Sequence, residues 1–263
     1  MNRVVRSLTR VACLFFIGAA PSCVADDAAG RVARHANASA WGGAVLGITR
    51  DPWQWGPAAA LAVAVPVAFA NDAGGSSSGI RNAHFSSHES DGDALLHGMM
   101  AVSGAVALGE WLYGDDGSAA EVLLESTLLT AGIVQLIKNN HSRRRPEGSG
   151  SYDSFPSGHA TTAFVAATFL ARRVDDSFDG WKGYLGYLSY VPAAVVALNR
   201  VENARHFPSD VVVGALLGTL VTNIIYNAHY GSEGGHGIYS RPPVSFVTQI
   251  DDDSVGVGIQ FRF

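Results

Sequence analysis

Cysteine is almost absent from this chain: its 263 residues hold two, Cys13 and Cys23. Both precede a small-residue cleavage site at Cys23-Val24-Ala25, so a chain processed there carries none. That excludes a disulfide framework and a thiolate metal site from the remainder. Charge is scarce as well. Asp, Glu, Lys and Arg make up 16% of the residues, against roughly 25% in a typical soluble protein. The net charge of -5 lacks the basic excess that nucleic-acid binding needs. No internal repeat is visible, which excludes solenoid architectures. Hydrophobic residues are plentiful at 48%, yet alanine and glycine supply much of that share. The mean hydropathy of +0.15 is modest for a protein made mainly of membrane spans.

The first residues have the pattern of an export leader. Arg3, Arg6 and Arg10 precede the apolar run Val11 to Ala20, and Asp26-Asp27 follows the small-residue site. The apolar run is shorter than the ~20 residues that span a bilayer. The expected organisation is a signal peptide over 1–25, a helical domain over 26–240 and a tail over 241–263.

Six apolar stretches follow the leader, near 56–70, 94–113, 119–138, 158–173, 183–199 and 208–227. Length and periodicity predict a helix for each. A Gly-, Ser- and His-rich loop separates the first two. His84 and His88 in this loop are expected to be solvated, and His97 to be packed within its helix. Val244 to Phe263 alternates apolar and polar residues around Asp251-Asp252-Asp253, which predicts a short C-terminal β-hairpin.

Three segments put cations and histidines at helix ends. Lys138 and Arg145 lie seven residues apart, close to two helical turns, so they can share a face before Pro146 ends the element. Two such cations suit a dianionic phosphate, Arg gripping two oxygens and Lys acting as a point charge. The same residues also fit a solvated basic turn. Pro156-Ser157-Gly158-His159 directly precedes an apolar run. Free backbone N–H groups at such a helix start bind anions, although Ser157 can equally be a plain N-cap. Arg200, His206 and Asp210 form the third segment, with Pro208 suited to a first helical turn. On a helical path Asp210 would lie beside the His206 imidazole, fixing its tautomer and freeing the other nitrogen to attack.

With these residues in view, the sequence resembles the type 2 phosphatidic acid phosphatase and vanadium haloperoxidase superfamily. The resemblance rests on Lys138 with Arg145-Pro146, on Pro156 to His159, and on Arg200, His206 and Asp210. Asn199 stands where that family usually has Ser. Only nine residues separate Pro146 from Pro156, which favours a compact mouth. The resemblance implies an all-α, six-helix bundle and a phosphatase that needs no metal or other cofactor. It implies that Lys138, Arg145 and Arg200 hold phosphate oxygens, aided by N–H groups near Ser157 and Gly158. It implies that His206 attacks phosphorus, Asp210 orients it, and His159 handles the proton, through a phosphohistidine. The expected substrate is a phosphate monoester or diphosphate, of a lipid in the leading case. A soluble periplasmic acid phosphatase of broad specificity is the alternative. In the haloperoxidase branch the same cradle would hold vanadate, against which the short chain and short gap both weigh.

A membrane partner is expected, and an exported, envelope location. The uncharged runs are 12 residues from Ser126 to Ile137, 12 from Ala160 to Ala171 and 17 from Gly183 to Asn199. A span needs about 17–25. Spanning helices and an exported bundle beside the membrane both remain compatible with these lengths.

Overall fold

A computed structural model of the chain describes residues 38–47, 52–73, 88–114, 118–148, 150–178, 180–230, 244–251 and 254–261. The α-helices are α1 (Ala38–Gly47), α2 (Pro52–Ala73), α3 (Glu89–Gly114), α4 (Ser118–Asn140), α5 (Gly158–Ser177), α6 (Tyr190–Glu202) and α7 (Pro208–Tyr230). A 3-10 segment, Gly180–Ser189, leads into α6. Two strands, β1 (Val244–Asp251) and β2 (Ser254–Phe261), pair antiparallel from Val244↔Phe261 to Asp251↔Ser254. The expected leader over 1–25 and the expected boundary near 240 lie outside the described residues.

Every apolar stretch is helical, but the expected count of six needs correction. Among the described residues there are seven α-helices, because α1 adds a ten-residue helix with two internal glycines and little sequence signal. The fifth stretch is also divided, with a 3-10 portion before Tyr190 and α-helix after it. A Cβ at Gly186 would lie 2.6 Å from the Ala171 carbonyl oxygen, so this turn runs against the α5 backbone.

Helix α5 is the central post. Ala160, Ala163, Val165, Ala166, Ala167 and Phe169 are fully buried along it. One apolar cluster joins Ala160, Ala163, Ala166 and Ala167 to Leu96, Val196, Val201 and Val211. A second joins Phe169 to Val122, Ile225 and Tyr226 towards the other end. There the buried Arg173 donates to both Glu110 carboxylate oxygens at 2.9 and 2.6 Å, and to Tyr226 Oη at 2.8 Å. That cluster ties α3, α5 and α7 together.

Helices α5 and α7 touch backbone to backbone. A Cβ at Gly214 would meet the Ser157 carbonyl oxygen at 2.6 Å, and Gly218 sits as tightly against Thr161. Small residues four apart permit this closeness. Ser157 N–H donates to the Asp210 carbonyl at 2.9 Å, which sets the start of α5 beside the start of α7. Three helices, Glu89–Tyr113, Ser118–Asn140 and Pro208–Tyr230, are long and apolar enough to cross a membrane. His97, expected to be packed, is exposed on α3.

Candidate active site

Each motif sits where a helix begins or ends. Ser157 caps α5, its Oγ accepting from Ala160 N–H at 3.4 Å. His159 is therefore in the first helical turn. Gly158 faces open space, since nothing lies within 4 Å of a Cβ built there. Lys138 lies in the last turn of α4 and Arg200 in the last turn of α6. His206 precedes α7 rather than lying on it, because Pro208 opens that helix.

Asp210 lies beside His206, but the expected hydrogen bond between them goes elsewhere. The four-residue spacing does not run along a helix, and Asp210 Oδ2 stands 3.8 Å from His206 Nδ1. The hydrogen bond from Nδ1 goes instead to the Ser154 carbonyl at 2.7 Å. A carbonyl only accepts, so Nδ1 carries the proton and the Nε2 lone pair is left free. Ser154 thus fixes the tautomer, a role that its position in a loop before the second motif gave no reason to expect.

Asp210 organises the surroundings. It is completely buried, and its Oδ2 accepts from the Ser154 hydroxyl at 2.5 Å and from Phe207 N–H at 2.8 Å. The Phe207 bond is the reciprocal half of a capping box, in which a first-turn side chain reaches back to the cap. Its Oδ1 accepts from Arg143 at 2.6 Å. Arg143 also donates to Ser209 Oγ at 2.6 Å and to Asp72 Oδ2 at 2.7 Å, and its guanidinium lies 4.2 Å from the Phe207 ring centroid. Asp72 in turn accepts from Ser209 Oγ and Ser209 N–H. Arg143 therefore sits between two carboxylates from helices far apart in sequence.

Each of the three expected phosphate cations meets a carboxylate. Arg145 donates through Nε and Nη2 to Asp153 at 2.9 Å each, and Lys138 Nζ lies 3.9 Å from Asp153 Oδ2. Arg200, only 4% exposed, reaches Asp93 Oδ1 and Glu89 Oε1 at 3.1 Å. Its Nε is buried without a partner among the described residues. His159 Nε2 lies 3.1 Å from the same Asp93 oxygen. Burial, then the Arg200 charge, hold the His159 imidazole below its ordinary range; Asp93 opposes this and His206 adds to it. Arg205 links Glu89 at 2.7 Å to Glu147 at 2.8 Å. Glu89 from α3 thus pairs with both Arg200 and Arg205. Sequence reasoning missed Glu89 and Asp93 because they lie more than a hundred residues from Arg200.

Among the described residues, no three His, Cys, Asp or Glu side chains gather as a metal site. Cations, an imidazole with an unprotonated Nε2 and a second imidazole are the groups suited to oxyanion binding, nucleophilic attack and proton transfer.

Comparison with known proteins places the chain among phosphatases of one superfamily by similarity. The PAP2 superfamily profile matches residues 119–233. The lipid A 1-phosphatase of Porphyromonas gingivalis is 37% identical over 98 residues, which cover 37% of this chain and 21% of that protein. Lipid phosphate phosphatase 1 of Arabidopsis thaliana is 30% identical over 155 residues, covering 45% of this chain and 47% of that protein. The decaprenylphosphoryl-5-phosphoribose phosphatase of Mycobacterium tuberculosis is 30% identical over 142 residues, covering 48% of this chain and 68% of that protein. The match thus spans 21% and 47% of the first two relatives' lengths.

Proposed function

Because this chain belongs to the PAP2 superfamily, we propose that it is a phosphatase acting on a lipid phosphate at a membrane, through a phosphohistidine formed on His206. The observation that carries the mechanism is the bond from His206 Nδ1 to the Ser154 carbonyl, which leaves Nε2 unprotonated. In the first step Nε2 bonds to phosphorus while the bond from phosphorus to the leaving oxygen breaks. His159 gives its proton to that oxygen. In the second step His159 takes a proton from water, the water oxygen bonds to phosphorus, and the N–P bond breaks. Phosphate leaves and both histidines regain their starting states.

Lys138, Arg145 and Arg200 would neutralise the non-bridging oxygens, with the N–H groups at Ser157 and Gly158 completing the cradle. The Arg200 Nε, buried without a partner among the described residues, is suited to one of those oxygens. Asp210, 3.8 Å from Nδ1, would offset the positive charge that grows on the phosphorylated ring. The cations supply the charge stabilisation, so the reading requires no cofactor.

A lipid substrate is favoured by the named activities of the relatives and by apolar surface. Val63 and Val67 on α2, Val102 on α3, and Leu128 and Leu136 on α4 all face outward. Outward apolar side chains on three successive helices suit a lipid surface. The helical domain is read as 26–240 behind an export leader, which places the enzyme in the cell envelope. Mass analysis of the processed N-terminus tests that placement.

The central test is phosphate release from a panel of lipid and soluble phosphoesters by the full-length protein in detergent micelles. Lipid phosphates should be hydrolysed fastest, with and without EDTA. His206→Ala should abolish release, and acid-labile phosphate should be trapped on the wild-type protein. Undiminished turnover by His206→Ala would overturn the mechanism.

A further inference from the structure

The short gap between the first two motifs has a physical result. Gly148 and Gly150, with φ of 75° and 83°, let the loop reverse within nine residues. The returning segment then meets the outgoing one in an isolated bridge between Arg143 and Asp153. Arg143 N–H donates to the Tyr152 carbonyl and Ser154 N–H to the Arg143 carbonyl, both at 3.0 Å. Arg145 N–H donates to the Ser151 carbonyl at 3.1 Å. This ladder delivers Asp153 to the Arg145 guanidinium.

We propose that Asp153 is an internal ligand of the phosphate cradle, which substrate phosphate must displace, so that this residue sets substrate affinity. The proposal rests on the reading of Lys138 and Arg145 as phosphate-binding groups. Two parallel N–H···O bonds of 2.9 Å are the geometry by which arginine grips either a carboxylate or a phosphate. Asp153 occupies that fork and comes within 3.9 Å of Lys138 as well. Both cations of the first motif are engaged by one carboxylate.

Two features distinguish an occupant from a structural strut. The Asp153 side chain is 49% exposed, unlike the buried Asp210, so it can rotate into water without unburying the loop. The loop itself is held by backbone hydrogen bonds that do not involve the carboxylate. Asp153 also remains ionised into mild acid, because the Arg145 hydrogen bond, followed by the Arg145 and Lys138 charges, holds its carboxyl below the usual range.

The test compares full-length wild type, Asp153→Asn and Asp91→Asn in detergent micelles. Asp91 is an exposed residue of the first turn of α3, so Asp91→Asn makes the same charge change away from the cradle. Inorganic phosphate binding is measured by calorimetry, which needs no turnover, and KM and kcat are measured on a short-chain lipid phosphate. Asp153→Asn should bind phosphate about fivefold more tightly and lower KM by a similar factor, as expected for release of one partly exposed ion pair. Its kcat should stay within about twofold, and Asp91→Asn should match wild type.

Unchanged or weaker phosphate binding by Asp153→Asn would overturn the proposal, as would an equal gain in Asp91→Asn. Phosphate binding that tightens in Asp153→Asn without ester hydrolysis by any form would support the occupant and sink the phosphatase reading. Hydrolysis with unaltered KM would do the reverse. Asp153→Ser serves as a second variant. If neither variant accumulates as folded protein, the carboxylate is a strut and the proposal is wrong.

Discussion

Arg143 and Asp210 offer a sharp test, because the structure gives Asp210 a different task from the one its spacing implied. Arg143→Gln removes the cation between Asp210, which is fully buried, and Asp72, whose side chain is 8% exposed. Breaking a buried pair from one side costs about 3–5 kcal/mol. Arg143 is itself 21% exposed, so the lower end, about 3 kcal/mol, applies. Asp210→Asn costs less. Its amide oxygen can still accept from Ser154 and Phe207, and Arg143 keeps Asp72. One charge-assisted bond is lost, about 2 kcal/mol. The double variant loses that shared bond only once, so it should be scarcely worse than Arg143→Gln. The coupling is about 2 kcal/mol, well above the ~0.5 kcal/mol tolerance for independent sites. Thermal unfolding in micelles reads it, at about 2–4 °C per kcal/mol for a chain of this size. Activity adds a second readout. The Nδ1–H bond to the Ser154 carbonyl survives in Asp210→Asn, so the tautomer is kept. The rate should fall about a hundredfold through misplacement, rather than the ~10⁴-fold of a wrong tautomer. Additive stabilities, or a 10⁴-fold rate loss with unchanged unfolding, would refute the argument.

Three further outcomes follow from the same geometry. Asp93→Asn should move the alkaline limb of kcat/KM to lower pH. The Asp93 charge raises the His159 pKa against burial and Arg200, and the acid form is lost above that pKa; a stationary limb would mean that His159 is not the proton donor. Ser154→Ala should cost about 1–2 kcal/mol of stability and little rate, since its hydroxyl serves Asp210 while its carbonyl serves His206; a rate loss beyond tenfold contradicts this. Gly214→Val should lower thermal stability by about 1–3 kcal/mol and activity with it, because the added carbons meet the Ser157 carbonyl and part α5 from α7. Unaltered melting would show that the two helices do not pack so closely.

Much of the architecture was legible before any coordinates. Local signals were strong where they were periodic or carried a cap: the apolar runs of α2 to α7, Ser157 before α5 and Pro208 at the start of α7. Helix α1 was missed because Trp41-Gly42-Gly43 offers neither periodicity nor a cap. The division before Tyr190 was missed because 3-10 and α-helical runs look alike in composition.

The sequence alone determined the chemistry: which imidazoles, cations and carboxylate the chain possesses, and that they fall at helix ends. Residue type and short spacing are local properties, so they survive in a linear reading. Only the tertiary structure decided the partners. It made Asp210, beside His206, the hub of Arg143, Ser154 and the α7 cap. It gave the His206 proton to a carbonyl of another loop, and brought Glu89 and Asp93 from α3 onto Arg200. Such contacts arise where buried polar groups must be satisfied by whatever chain packs beside them. Which chain that is depends on how α3, α5 and α7 meet, and the Gly214–Gly218 seam allows that meeting only once the helices are assembled.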